Sequence, residues 1–183
     1  MKFLTPIDKW MVGLFALTSG MVLAEGALSR DVLLQRVERC RRFEHAQDRR
    51  DALDALKARS GLSQDEWATL LFDVATNRND RFVLNDVGRY ASTNHLSRLR
   101  AVFTDANFSS SFRLAAFRAF ARADGFGERT ASLVRNQSLK NSANSELSEY
   151  DLLQQVRSLL PTNEVKRGTF ERCVRRVKGE DAR

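Results

Sequence analysis

The sequence predicts an all-α fold of eight or nine short helices arranged as stacked antiparallel hairpins. Three observations carry this. The 183 residues hold only two prolines and nine glycines, so helix breakers are few, while the strong helix formers Ala, Leu, Arg and Glu abound. Alternating runs of Val, Ile and Thr, the pattern of half-buried strands, are missing, and Ile7 is the one isoleucine. Capping residues stand again and again in front of segments with helical apolar spacing. A chain of this length forms one domain with a core of its own.

The elements follow in order. Ser29 precedes "RDVLLQRVERCRRF", with Leu33, Val37 and Cys40 on one face. Asp48 precedes "RRDALDALKARSG", with Leu53 and Leu56 inward and Gly61 as the stop. Ser63 and Glu66 form a capping box, each satisfying a free amide of the other, and open "WATLLFDVATN" with Trp67, Leu71 and Val74 inward. Asp80 opens a helix carrying Val83, Val87 and Tyr90, and Asn94 one carrying Leu96, Leu99 and Phe103. Ser110 or Ser111 opens "FRLAAFRAFARADG", which is apolar almost all round and therefore central.

A shorter helix is expected over "GERTASLVRNQ", then a long polar loop over "NQSLKNSANS". "ELSEYDLLQQVRSLL" predicts a helix with Leu147, Tyr150, Leu153, Val156 and Leu160 inward, ended by Pro161. The last helix, "EVKRGTFERCVRRVKG", is interrupted by Gly168 and turns Phe170, Cys173, Val174 and Val177 inward. Predicted starts near 30, 64, 95 and 128 alternate with starts near 49, 81, 111 and 146. Both series advance by about 31 to 35 residues, the spacing of helical hairpins that bury their apolar faces only on their neighbours.

The amino terminus has the pattern of an export signal. Lys2 and Lys9 precede the apolar run "WMVGLFALTSGMVLA", and Val22-Leu23-Ala24 places small residues where a signal peptidase cuts. The expected division is a signal peptide over 1–24 and a single helical domain over 25–183, periplasmic or secreted, with no membrane span after cleavage. The alternative is an anchor over residues 10–28.

Chemistry is sparse. His45 and His95 have no partner at metal-ligand spacing, no Gly-rich phosphate loop or nucleophile elbow occurs, and no cofactor is implied. "DGFGER", residues 124–129, reads as a helix stop and restart. Phe103, Phe108, Phe112, Phe117, Phe120 and Phe126 read as core. The formal net charge of +7 is spread among interleaved acids, which does not favour nucleic acid as partner.

Residues 96–125, "LSRLRAVFTDANFSSSFRLAAFRAFARADG", resemble a HEAT repeat. Leu99, Phe103 and Asp105 match its first helix and turn, and Phe112-Arg113 with Ala116, Ala119 and Phe120 match its second. The resemblance implies that Asp105 and Arg113 are structural, bonding between neighbouring turns. It covers one hairpin of about four.

Cys40 and Cys173, the only cysteines, both fall on apolar helix faces. In an exported protein this predicts a Cys40–Cys173 disulfide. A bridge requires the array to curl until its first and last helices touch; an open array keeps the thiols apart. If the ends meet, Arg41 and Arg42 join Arg175 and Arg176 in one anion-binding face. The functional expectation is an exported, non-enzymatic helical scaffold for a protein or anionic envelope partner. The alternatives are a nucleic-acid-handling HEAT-like domain, if the chain is not exported, and an enzyme built on scattered carboxylates.

Overall fold

The computed structural model describes residues 28–140, 148–160 and 164–179. The expected signal over 1–24, the polar segment from 141 to 145, Leu147 and Pro161 lie outside the described residues, as does the alternative anchor save Leu28. The described residues form nine α-helices: α1 (Arg30–Cys40), α2 (Ala46–Ser60), α3 (Gln64–Arg78), α4 (Arg81–Val87), α5 (Leu96–Thr104), α6 (Ser110–Ala123), α7 (Glu128–Lys140), α8 (Glu149–Leu159) and α9 (Glu164–Lys178). A 3-10 turn at Thr93–His95 leads into α5, and no strand occurs among the described residues. None of the described helices is long and apolar enough to cross a membrane.

The starts are set by local hydrogen bonding. The Ser29 side chain accepts from the Val32 amide, Ser63 and Glu66 cap each other reciprocally, and Asp80 accepts from the amides of Phe82 and Val83 at 2.9 and 3.1 Å. Each satisfies donors that a first helical turn leaves free. Three expected caps are displaced. Helix α2 begins at Ala46, with His45 at the cap position making no side-chain bond, and Asp48 lies in the first turn; there its charge complements the helix dipole. Ser92, rather than Asn94, caps the turn into α5, and Ser109, one residue before Ser110, caps α6. A capping box of Ser148 and Asp151 starts α8. Gly61, at φ 69°, ends α2 in the left-handed conformation that glycine adopts without strain.

The helices pack as two rows. The odd row joins α1 to α3 and α7 to α9, while the even row joins α4 to α6 and α6 to α8. Helices α1–α2, α3–α4, α5–α6 and α7–α8 close the hairpins between the rows. Arg98 extends the odd row from α5 to Asp73 on α3 at 2.7 Å. The core between the rows contains Trp67, Leu71, Leu84, Leu99, Phe103, Phe112 and Phe117, with Phe103 and Phe117 ring centroids 5.1 Å apart. Helix α6 is central, as its nearly all-round apolar surface predicts: it packs on α4, α5 and α8. Phe108 and Phe126, at the ends of this cluster, are only partly buried.

Two register details differ from expectation. Helix α8 turns Leu152, Leu153 and Val156 inward, and Tyr150 is 66% exposed, because Tyr150 precedes Leu152 by about half a helical turn. Helix α9 runs through Gly168 without interruption, and open space surrounds that position.

Gly88 fixes how closely two helices approach. A Cβ built there would stand 2.7 Å from the Ala119 Cα on α6. Because the obstacle is backbone, Gly88→Ala forces α4 away from α6 and is expected to cost about 1–3 kcal/mol. Gly168→Ala, in open helix, is expected to stabilise by up to about 1 kcal/mol. Urea unfolding of the two variants beside wild type checks both signs.

Candidate anion-binding site

The even row carries polar side chains that reach from helix to helix. Arg49 on α2 bonds Asp86 on α4 at 2.8 Å, and Arg50 bonds the other Asp86 oxygen at 3.4 Å. Arg89, just past α4, returns to Asp54 on α2 at 2.7 Å, and the Tyr90 hydroxyl donates to the same carboxylate. From α6, Arg122 donates to the backbone and side-chain oxygens of Asn85 at 3.1 and 3.2 Å. Arg118 donates to the Gln155 side-chain oxygen on α8, at 3.0 Å from its Nε. The partners lie 35 to 37 residues apart, one hairpin along the chain.

Five guanidiniums thus meet two carboxylates. Asp86 has no solvent exposure and the Arg49 side chain is 5% exposed, so this pair closes on itself. Arg89 is matched by Asp54. Arg50 shares Asp86 with Arg49, while Arg118 and Arg122 are held by neutral oxygens. Burial lowers the pKa of Arg122, the Arg50 charge lowers it further against the pull of Asp86, and Arg118 and Arg89 add to the repulsion. A half-buried cation surrounded by like charge favours any anion that can reach it. Arg50 and Arg89 have side chains 35% and 34% exposed, so the cluster is open to solvent.

The odd row is different. A cleft of about 750 Å³ between α1 and α3 holds Arg30, Arg39, Arg42 and Arg78. Its acids are placed against its bases, with Arg78 bonded to Glu38 at 2.9 Å and Arg30 to Asp73 at 3.5 Å.

The arginines and cysteines singled out in the sequence do not come together as one site. Cys40 and Cys173 are free thiols, so the expected bridge is not formed. Helix α1 packs on α2 and α3 and α9 packs on α7, and no substantial packing between described helices joins α1 to α9. Each hairpin buries its apolar face on the next, leaving nothing to draw the ends together. Cys40 is buried and burial raises its thiol pKa, while Cys173 is half-buried.

The expected merged face of Arg41, Arg42, Arg175 and Arg176 therefore does not form. Arg41 bonds Glu38 at 2.6 Å and Asp80 at 2.5 Å, tying α1 to the cap of α4. Arg176 pairs with Glu128 on α7. Arg42 and Arg175 are exposed on α1's end and on α9.

The remaining candidates are structural. Asp105 accepts from the Asn107 amide at 2.9 Å and Arg113 donates to the Phe103 carbonyl at 2.8 Å. Both contacts stay within one hairpin, where the HEAT resemblance implies bonds between neighbouring turns. At "DGFGER" the Asp124 carboxylate accepts from the amides of Gly127 and Thr130 at 3.1 and 2.8 Å, so the anion at the start of α7 is the chain's own. His45 is exposed at the start of α2. His95 is buried, its Nδ1 accepting from the Ser92 amide at 3.3 Å and its Nε2 lying 3.2 Å from the Asp65 carbonyl. Among the described residues no group of three His, Cys, Asp or Glu could hold a metal ion.

Arg89, Arg118 and Arg122 are absent from the sequence-based candidates. A spacing of 36 residues relates Arg50, Asp86 and Arg122 in the sequence and touches only the last of the three. The helices that carry them start at Ala46, Arg81 and Ser110, so the spacing does not follow the hairpins.

The Asp54 carboxylate, which joins α2 to the end of α4, gives the fold an acid limit. At Asp54, burial raises the pKa, but the bonds from Tyr90 and Arg89 and the Arg89 charge outweigh it and hold the carboxyl below its ordinary 3.8. The folded value lies below the unfolded one, so the contribution is present above pH 3.8 and is lost as the pH falls through the folded value. Urea midpoints measured between pH 7 and pH 2 are expected to fall more steeply below about pH 4 in wild type than in Asp54→Asn.

No protein-family model matches the chain, and neither a curated protein nor a solved structure matches it.

Proposed function

We propose that this chain is an exported, non-enzymatic scaffold of HEAT-like hairpins that binds an anionic partner, a protein or an envelope component, through its even-helix row. The observation that carries this is the imbalance around Arg122. Arg50, Arg118 and Arg122 are held in place by bonds to Asp86, Gln155 and Asn85, yet have no carboxylate of their own. Holding the cations in advance reduces the ordering a partner must impose. The positive field across the row raises its encounter rate.

Around α4 and α6 the guanidiniums outnumber the carboxylates they meet. On the odd row Glu38 takes up Arg41 and Arg78, Asp73 takes up Arg30 and Arg98, and Glu128 takes up Arg176. The export component of the reading rests on Lys2, Lys9, the apolar run and Val22-Leu23-Ala24.

Two experiments check the two components. On an acidic resin, the triple variant Arg50→Gln, Arg118→Gln, Arg122→Gln is expected to elute at lower salt than Arg39→Gln, Arg42→Gln, Arg175→Gln, which removes the same charge from exposed sites. Helicity is followed by circular dichroism in both. Equal elution of the two variants removes the even row as the binding face. For export, the intact mass of the protein from its native host is expected to lack residues 1–24; a full-length mass rejects cleavage.

A further inference from the structure

We propose that the cluster centred on Arg122 is a site for one phosphate monoester group, bound in preference to phosphate diesters and to carboxylates. This deepens the anionic-partner reading and rests on it. The geometry of the donors is the reason. Arg50 reaches from α2 to Asp86 on α4, and Arg122 reaches from α6 to Asn85 on α4, so guanidiniums from two different helices converge on α4. Arg118 stands one helical turn before Arg122 on the same helix, and Arg89 follows α4 on the same face. Arg50 and Arg122 end on the adjacent residues Asp86 and Asn85, which sets their two guanidiniums side by side on α4.

Donors arriving from several helices suit an acceptor whose oxygens point in several directions. A carboxylate is planar, carries one charge and is satisfied by one or two guanidinium forks. A phosphate monoester carries about 1.5 to 2 negative charges near neutral pH and three terminal oxygens, enough for three guanidiniums at once. A diester has one charge and two free oxygens. The cluster's five guanidiniums and two carboxylates leave a surplus that a dianion comes closer to neutralising than a monoanion does.

Asn85 and Gln155 sharpen the selection. Their side-chain oxygens already accept from Arg122 and Arg118, so their amide NH2 groups remain as donors at the edge of the site. Asp86, fully buried beneath Arg49 and Arg50, fixes the floor and repels an anion from displacing it. The monoester can come from a soluble phosphate or from a lipid headgroup, and these share the same recognition chemistry.

The test uses the full-length chain at matched ionic strength. Glycerol 2-phosphate, inorganic phosphate, dimethyl phosphate and acetate are compared by thermal unfolding and by calorimetric titration. Glycerol 2-phosphate and inorganic phosphate are expected to raise Tm by about 3 °C or more near saturation, with dimethyl phosphate and acetate showing less than a third of that. Arg122→Gln is expected to weaken monoester binding about tenfold or more, while Arg42→Gln, exposed at the end of α1, leaves it unchanged.

Sedimentation with vesicles containing phosphatidic acid, against vesicles containing phosphatidylglycerol, separates the sources. Retention by phosphatidic acid alone assigns a lipid headgroup, and a response to soluble monoester without vesicle binding assigns a soluble phosphate. If Arg122→Gln unfolds, the contrast between monoester and diester in wild type decides. Equal responses to all four anions overturn the monoester assignment and leave the anionic-partner reading standing. No response to any anion, together with equal elution of the two triple variants on the acidic resin, overturns both.

Discussion

A carboxylate with no contact with water is the constraint on which the even row depends. An isolated charge of this kind is costly to bury, and it persists only with a partner of opposite sign and satisfied hydrogen bonds. Asp86 meets that condition through Arg49 and Arg50. Both come from α2, so the carboxylate on α4 decides where the first hairpin rests against the second. Arg49 is itself almost fully buried and is directed away from solvent by this pair. The charge that Asp86 supplies is committed to α2, which leaves Arg122, arriving from α6, with Asn85 alone.

Close packing makes this arrangement available. Helix α4 is only seven residues long and depends on its surroundings for stability. At one end Asp80 caps it and accepts Arg41 from α1. At the other, Gly88 lets it lie against the Ala119 backbone of α6. An ordinary side chain at Gly88 would separate the helices where Arg122 reaches Asn85, its Cβ also coming within 3.3 Å of the Arg122 Cδ. The short contact and the arginine cluster are therefore two results of one approach. Small residues fill the inner side of α6, where Ala115, Ala116, Ala119 and Ala121 are buried, and this lets neighbouring backbones draw near.

The two rows use arginine differently. On the odd row Arg30 and Arg98 share Asp73, and Arg41 and Arg78 share Glu38. These exposed or half-exposed ion pairs add little stability individually and mainly fix the register between hairpins. On the even row Arg118 and Arg122 are instead held by the neutral oxygens of Gln155 and Asn85, and their charge stays available.

Local chemistry was legible in the sequence wherever it acts within a turn or two. Ser63 with Glu66, Asp80, Ser29 and Gly61 mark helix ends because a cap and its amides are sequence neighbours. The apolar positions of α1, α3 and α5 were legible for the same reason, since helical period converts spacing into a face. Where two neighbouring residues could both serve as caps, as at Ser109 and Ser110, or where a face could rotate by half a turn, as at Tyr150, packing made the choice.

The site was legible only in part. Arg118 and Arg122 lie on a helix whose apolar surface dominates its sequence, and nothing adjacent to Asp86 in the chain marks it as the partner of two arginines on another helix. By itself the sequence determined the helical class, most helix starts and the inward faces, because these follow from interactions a few residues long. Tertiary structure alone decided that Cys40 and Cys173 are free thiols, that Arg41 is taken up by Glu38 and Asp80, and that Arg50 and Arg122 arrive at neighbouring residues of α4 while Arg118 is held on α8. Those outcomes depend on how far one hairpin is displaced along the next, and that displacement is set by the backbone contact at Gly88 and the buried pair at Asp86.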